Sequence, residues 1–254
     1  QPSSTDKLAF TYYPDGLVAS RADAKGNVLT YKYDSQGRRT EVLVDDSSCY
    51  PVNPYYLARP PYRIHRIAYV YDDHGNPTWV TAYTRGANGQ PTEYVAQNEF
   101  VYDVSGNLKT EKQAHVGPVN PMTHAVDYDW DYNDYASGAA GSNSTRLASI
   151  TYPKRLNTNA RRQVSFTYGD GLSSIDGVLN RVSEIDVVGI GLVAWYQHAG
   201  TSRRVSTYYG NGDSRSAMAY CDPETWPCNN ATYTGLDRFG RIIDLNWVDY
   251  YGDT

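Results

Sequence analysis

The chain of 254 residues is short of the usual materials of a helical protein: it has only 2 Met, and almost nowhere do apolar residues recur at spacings of three and four. That excludes a helix bundle as the main architecture. No run of 18 apolar residues occurs, and the longest apolar stretch, Val187 to Trp195, is too short and carries two glycines, so no helical membrane span is written here. With a formal net charge of −5 and a pI near 5.5, the chain also lacks the basic stripe that nucleic acid demands. The pairs Arg38-Arg39, Arg161-Arg162 and Arg203-Arg204 read most simply as solvated positions or cross-strand partners of carboxylates. There is no Gly-x-Ser-x-Gly elbow and no phosphate-binding loop ending in Lys-Ser or Lys-Thr. The five histidines, His65, His74, His115, His124 and His198, are never four apart, which leaves no helical zinc pair. No catalytic, cofactor-binding or metal-binding residue is therefore expected.

What the chain has in quantity is 25 Tyr, 5 Trp and 21 Gly. Aromatic and β-branched residues suit a pleated, half-buried surface, so the expected fold is all-β. The turns are written out seven times as Asp-x-x-Gly. In three of them tyrosine precedes the aspartate: Tyr33-Asp34-Ser35-Gln36-Gly37, Tyr71-Asp72-Asp73-His74-Gly75 and Tyr102-Asp103-Val104-Ser105-Gly106. Two further copies, Asp23-Ala24-Lys25-Gly26 and Leu236-Asp237-Arg238-Phe239-Gly240, share the flanking pattern. Those at Asp186 and Asp249 have strand-like middles and could be coincidence. Before the turn, Tyr31-Lys32-Tyr33, Tyr69-Val70-Tyr71 and Phe100-Val101-Tyr102 alternate with a strand's period. Asp at the first turn position accepts a hydrogen bond from the backbone two residues on, and Gly at the fourth closes a type I turn with a bulge. Each copy is thus expected to be a hairpin.

The unit Gly26-Asn27-Val28-Leu29-Thr30-Tyr31-Lys32-Tyr33-Asp34-Ser35-Gln36-Gly37-Arg38-Arg39-Thr40 resembles the rearrangement-hotspot (Rhs), or YD-repeat, family, whose signature runs Gly-x-x-x-x-Tyr-x-Tyr-Asp-x-x-Gly-Arg-Leu. The copy at Asp237 departs from it, with Leu236 in the place of the tyrosine. Repeat-like units cover 8–44, 66–82, 98–112 and 234–248, with insertions at 45–65 and 113–145, in one repeat domain spanning 1–254. The resemblance implies a β-hairpin ribbon, a coiled sheet or part of a hollow β-shell, as in the repeat shells of bacterial toxins, teneurin-like adhesion modules and large bacterial surface proteins. It also implies a secreted or cell-surface setting. Toxin-associated relatives end the shell in a self-cleaving segment with paired Asp-Pro-x-Gly motifs. Here only Asp222-Pro223-Glu224-Thr225 occurs, so self-cleavage is not carried over.

Cys221 and Cys228 bracket a loop with two prolines, and a disulfide across it is expected, hence an oxidising compartment. Zinc would need closer spacing and further ligands. Cys49 has no evident partner. Asp127-Tyr128-Asp129-Trp130-Asp131-Tyr132 alternates strictly, with three carboxylates on one face. Calcium favours clustered oxygens, yet the glycine and glutamate of a helix-loop-helix site are missing, and an amphipathic strand with a solvated acidic face accounts for the pattern. Asn143-Ser144-Thr145 and Asn230-Ala231-Thr232 have the form of glycosylation sequons. The starting residue, Gln1, suits a processed product or a piece of a longer chain.

Two functions follow. The first is a non-catalytic structural module of a large secreted or surface protein, enclosing cargo or self-associating through sheet edges near 8–13 and 242–251, with neighbouring repeats as partners. The alternative is an adhesion module whose exposed aromatics contact glycans or a protein receptor. Aromatics at alternating strand positions favour the first, since such ladders are ordinarily packing.

Overall fold

The computed structural model describes residues 7–45, 64–85, 91–132, 145–154, 160–169, 175–201, 203–211, 214–220 and 235–251. Cys49, Cys221, Cys228 and both sequons' asparagines lie outside these residues, as does most of the 45–65 insertion.

The chain divides into two compact units, Gln1–Val126 and Asp127–Thr254. In the first, eight strands follow one another: β1 (Ala9–Tyr12), β2 (Val18–Ala22), β3 (Val28–Tyr33), β4 (Arg39–Asp45), β5 (Ile64–Tyr71), β6 (Pro77–Arg85), β7 (Pro91–Tyr102) and β8 (Leu108–Ala114). Each pairs antiparallel with the next. This is the topology that sequential hairpins dictate, because a short turn can only return the chain alongside the strand it left.

The second unit repeats the plan with β9 (Ala125–Tyr132, whose first two residues fall in the first unit), β10 (Thr145–Lys154), β11 (Arg161–Thr167), β12 (Glu184–Val187), β13 (Gly191–Ala199), β14 (Arg203–Asn211), β15 (Ser214–Ala219) and β16 (Asn246–Tyr251). Again each strand pairs antiparallel with its successor. One helical turn, α1 (Ile175–Val178), interrupts the meander between β11 and β12. The fold is all-β in both units. Among the described residues no helix is long and apolar enough to cross a membrane.

The alternating segment 127–132 is the body of β9. Asp129 and Asp131 face solvent, while Asp127 accepts a bond from Arg161 of β11 at 2.5 Å. Among the described residues no group of three or more His, Cys, Asp or Glu is arranged to hold a metal ion.

The core of the first unit is thin. Tyr31, Val42 and Ala114 are its buried apolar side chains among the described residues, accompanied by Glu41, Thr81 and Thr84. Glu41 is buried with two cationic partners: Lys32 Nζ stands 2.6 Å from its carboxylate and the Arg66 guanidinium binds the other oxygen. Both partners come from strands adjacent to β4, so the carboxylate welds three strands on one face. In the second unit burial centres on β14, where Val205, Ser206 and Thr207 are almost completely enclosed, with Ala194, Ala217 and Ala219 beside them. Consecutive strand residues point to opposite faces, so β14 is covered on both.

Candidate functional site: the stacked turns

The features that recur along this chain are the turns, and each is built from the same few atoms. In the copy at Asp34, the Gly37 amide donates to the Asp34 carbonyl at 3.1 Å and the Asp34 amide donates to the Arg38 carbonyl at 2.9 Å. The carboxylate completes the loop by accepting from the Gln36 and Arg38 amides, each at 2.9 Å. Asp72 does the same with the amides of His74 and Asn76, Asp103 with those of Ser105 and Asn107, and Asp237 with those of Phe239 and Arg241. Asp23 accepts from Lys25 and Asn27, and Gly26 donates back to its carbonyl. A short acid is required here because only an oxygen one carbon from Cβ reaches amides two and four residues on.

The residue after the glycine supplies a further contact. Arg38 Nε donates to Asp34 Oδ2 at 2.7 Å, Asn27 Nδ2 to Asp23 Oδ2 at 2.6 Å, Asn76 Nδ2 to Asp72 Oδ2 at 3.1 Å, and Arg241 Nε to Asp237 Oδ2 at 2.7 Å. This role escaped the sequence reading. Its signal was present, since the position after each of these glycines is always Asn or Arg: Asn27, Arg38, Asn76, Asn107 and Arg241.

The tyrosine before the aspartate works between hairpins. Tyr33 donates its hydroxyl to the carbonyl of Val18, Tyr71 to that of Arg39, and Tyr102 to that of Pro77, at 3.0, 2.7 and 3.0 Å. Each acceptor is the first residue of a strand leaving the preceding turn of the row, five residues after the residue that opens that turn (Tyr13, Asp34 or Asp72). The ladder is out of step at each tyrosine: the register shifts between Lys32 and Tyr33, Val70 and Tyr71, and Val101 and Tyr102. That bulge coincides with the ring's reach to the neighbouring strand. Every such hydroxyl thus ties one turn to the one before it, a bond contributing about 1 kcal/mol net. Burial pushes the Tyr71 and Tyr102 hydroxyls above the ordinary phenol range, so they remain protonated donors.

Arg38 adds a forward link. Its guanidinium lies 4.8 Å from the Tyr71 ring centroid and donates to the Asp72 carbonyl at 3.2 Å, so one side chain closes its own turn and grips the next. The first turn of the row, Tyr13-Pro14-Asp15-Gly16, uses the same backbone scheme with Tyr13 in the aspartate's place. The Tyr13 hydroxyl reaches the Tyr31 carbonyl at 2.9 Å, and its ring meets Tyr33 edge to face at 6.1 Å. An Asp-x-x-Gly search does not find this turn.

In the second unit the scheme survives in parts. Tyr168, which has no Asp-x-x-Gly after it, still donates to the Leu147 carbonyl at 3.0 Å, the position equivalent to those above. At Asp237 the turn is complete but Leu236 has no hydroxyl to give, and the tie to another element comes instead from Arg203, whose guanidinium binds the Gly240 carbonyl. Leu236 makes an isolated bridge to Ile242. Gly189, in the copy at Asp186, also sits in a hairpin turn, between β12 and β13, though the closing bond runs from the Ile190 amide to the Val187 carbonyl. Ile243 proves not to be an edge-strand residue: its amide is spent on the Gly235 carbonyl, within the loop that precedes β16.

The carboxylates of Asp23, Asp34, Asp72 and Asp237 are held below the ordinary range. Hydrogen bonds lead the causes at Asp23, from the Asn27 side chain, and at Asp237, from the Arg241 amide. At Asp34 and Asp72 partial desolvation pulls upward, and bonds from Arg38 and Asn76 outweigh it. Burial likewise raises Glu41, and Lys32 and Arg66 more than offset it. A carboxylate depressed in the folded state gives stability that is present above its unfolded value and lost as pH falls through the folded one. Urea melts are therefore expected to show no loss from these groups above about pH 5 and a progressive loss below about pH 4. Replacing Asp72 by Asn should lower stability at neutral pH and make the acid decline shallower; an unchanged decline would assign the acid sensitivity elsewhere.

The fold and its turns define an antiparallel meander of repeated, mutually tied hairpins. Residues 12–47 match the family model described as RHS Repeat, so the chain resembles the Rhs/YD-repeat family over that stretch. A search of curated proteins returned no match. Among solved structures, the chain is similar to one titled "Crystal Structure of TcdB2-TccC3-Cdc42", with 13% identity and a TM-score of 0.40, over 83% of this chain and 12% of that one. A second, "Crystal Structure of TcdB2-TccC3", gives 11% identity and a TM-score of 0.23 over 84% of this chain and 14% of that one. The chain therefore spans about an eighth of these neighbours' length.

Proposed function

We propose that residues 1–254 act as one Rhs/YD-repeat β-module, with insertions at 45–65 and 113–145, in a larger secreted or cell-surface protein. Its work is mechanical: it forms wall, enclosing a cargo or joining further copies of the repeat, and it carries no catalysis. The observation that supports this is where the repeated residues go. Tyr33, Tyr71, Tyr102, their aspartates and Arg38 are all engaged in closing a turn or tying it to the turn before or after. Among the described residues, these parts of the motif are spent on architecture.

A second reading rests on exposed rings. Phe10 and Tyr12 on β1 and Trp247 on β16 are 47%, 63% and 64% exposed, and flat apolar rings of that kind stack on sugars. A glycan array with the folded chain separates the two. The wall reading expects no retained glycan; retention that disappears when Tyr12 or Trp247 is replaced by Ser would substitute the adhesion reading.

A further inference from the structure

In the second unit the connection between β11 and β12 carries α1, and the contacts of its segment 175–181 with the strands are polar among the described residues. Ile175, Val178 and Leu179 are exposed at 68%, 58% and 41%, whereas the fastening is done by charged groups. Arg146 of β10, itself buried, donates from Nη2 to the Gly177 carbonyl at 2.6 Å. Arg181 donates from Nη1 to the Gly200 carbonyl at 2.6 Å, and its Nη2 pairs with Asp176 Oδ1. Against the same carboxylate oxygen, at 3.5 Å, stands Nδ1 of His198 from β13, whose side chain is 8% exposed. Among the described residues His198 Nδ1 makes no hydrogen bond and reaches no solvent. Among the described residues this contact is fastened by the two arginine-to-carbonyl bonds and by the Asp176 carboxylate, which Arg181 and His198 share.

We propose that the Asp176, Arg181 and His198 cluster is an acid-released latch, in which a proton on the His198 imidazole frees the 175–181 segment from β13. Among the described residues the charges facing His198 are Asp176 and Arg181 from the α1 segment and Arg204, its register partner on β14. Arg146 adds a further cation at Gly177. A neutral imidazole adds no charge to this cluster. Once protonated and denied water, it adds a third positive charge beside Arg181 and Arg204, with only Asp176 opposing them, and Asp176 is already committed to Arg181. Burial pushes the imidazole below its ordinary range, Asp176 pulls it up, and the two arginines push it down again. A histidine depressed when folded is protonated more readily in the released state, so the contact is fully present above the free imidazole's pKa, near 6.5, and is weakened as pH falls below it. Asp34 and Asp72 are held below the ordinary carboxylate range and so lie outside this window.

The latch is independent of the wall reading and is tested separately. Hydrogen exchange of the segment 175–181, corrected for the chemical rate, is followed by mass spectrometry at about pH 7 and about pH 5, on either side of the imidazole range. Protection should be lost at the lower pH in the parent chain and retained at both in His198→Gln, which keeps a polar side chain that does not titrate. Unchanged protection in the parent, or the same loss in His198→Gln, overturns the proposal. Should the variant fail to fold, imidazole NMR of the parent decides: a ring that protonates below the free value together with loss of the Asp176 to Arg181 amide signals supports the latch, and a midpoint at or above the free value refutes it.

Discussion

Gly235→Ala is expected to destabilise the second unit by about 1–3 kcal/mol, the range for forcing atoms into a filled space. A Cβ built on Gly235 would lie 2.4 Å from the Asp244 carbonyl oxygen, 3.0 Å from that of Tyr220 and 3.1 Å from the Tyr220 Cα. These are backbone atoms, so no side-chain rotation relieves the clash. Gly235 is where the 235–245 loop crosses the end of β15: its amide donates to the Tyr220 carbonyl, and its own carbonyl accepts from the amides of Ile243 and Asp244. Separating the crossing strands costs those bonds together. Gly106 is the useful contrast. Its φ is +84°, and nothing lies within 4 Å of an added Cβ. There the cost is conformational alone, about 1–2 kcal/mol for Val in the left-handed region, with Asn tolerated better. Equilibrium urea melts should therefore rank Gly106→Asn above Gly106→Val, and place Gly235→Ala among the worst. Should Gly235→Ala melt like the parent, the crossing described here is wrong; unchanged melting of Gly106→Val would remove the basis for treating Asp-x-x-Gly as the hairpin signal.

The two glycines also mark the limit of what the sequence discloses. Gly106 is legible because its neighbours name its job: Tyr102 and Asp103 precede it, Asn107 follows, and the required turn conformation is local. The all-β class and the meander were readable for the same reason, each hairpin being specified by residues within a few positions of one another. Gly235 sits beside a recognisable turn at Asp237, yet its constraint comes from Tyr220 and Asp244, contacts made by folding over and not by local chemistry. The tyrosine ties lie between these extremes. The donor is written plainly in Tyr33, Tyr71 and Tyr102, but the acceptor is a backbone carbonyl, and Val18, Arg39 and Pro77 have nothing in common as side chains. The His198 cluster was illegible altogether, since residues 176, 181 and 198 meet only because an irregular connection lies on β13.

Concentration-dependent self-association of the chain is expected, with β1 of one copy adding to β16 of another. Among the described residues β1 pairs with β2 alone and β16 with β15 alone, and a strand with one partner presents a row of unmet amides and carbonyls to the next chain. Side chains at both places are apolar and exposed: Leu8, Phe10 and Tyr12 at one, Leu245 and Trp247 at the other. Natural edge strands are commonly blunted by lysine or proline, and all four residues of β1, Ala-Phe-Thr-Tyr, lack either. Because the two edges differ, the contact is heterologous and should produce a graded series of sizes instead of a single closed dimer. Phe10→Lys and Trp247→Lys each place a charge where the apolar contact forms, and a weakening of about tenfold is expected from each, equivalent to about 1.4 kcal/mol. Combining them in one chain should weaken the contact further, to about a hundredfold if the two changes add, since every contact then sets one lysine against another. Mixing the two single variants leaves one intact contact, between the β1 edge of the Trp247→Lys chain and the β16 edge of the Phe10→Lys chain, so dimers should appear at concentrations where either variant alone is still monomeric. Sedimentation velocity over a wide concentration range reads all of these outcomes: a parent that stays monomeric throughout, or single variants that associate as tightly as the parent, would show that these edges are not the joining surfaces.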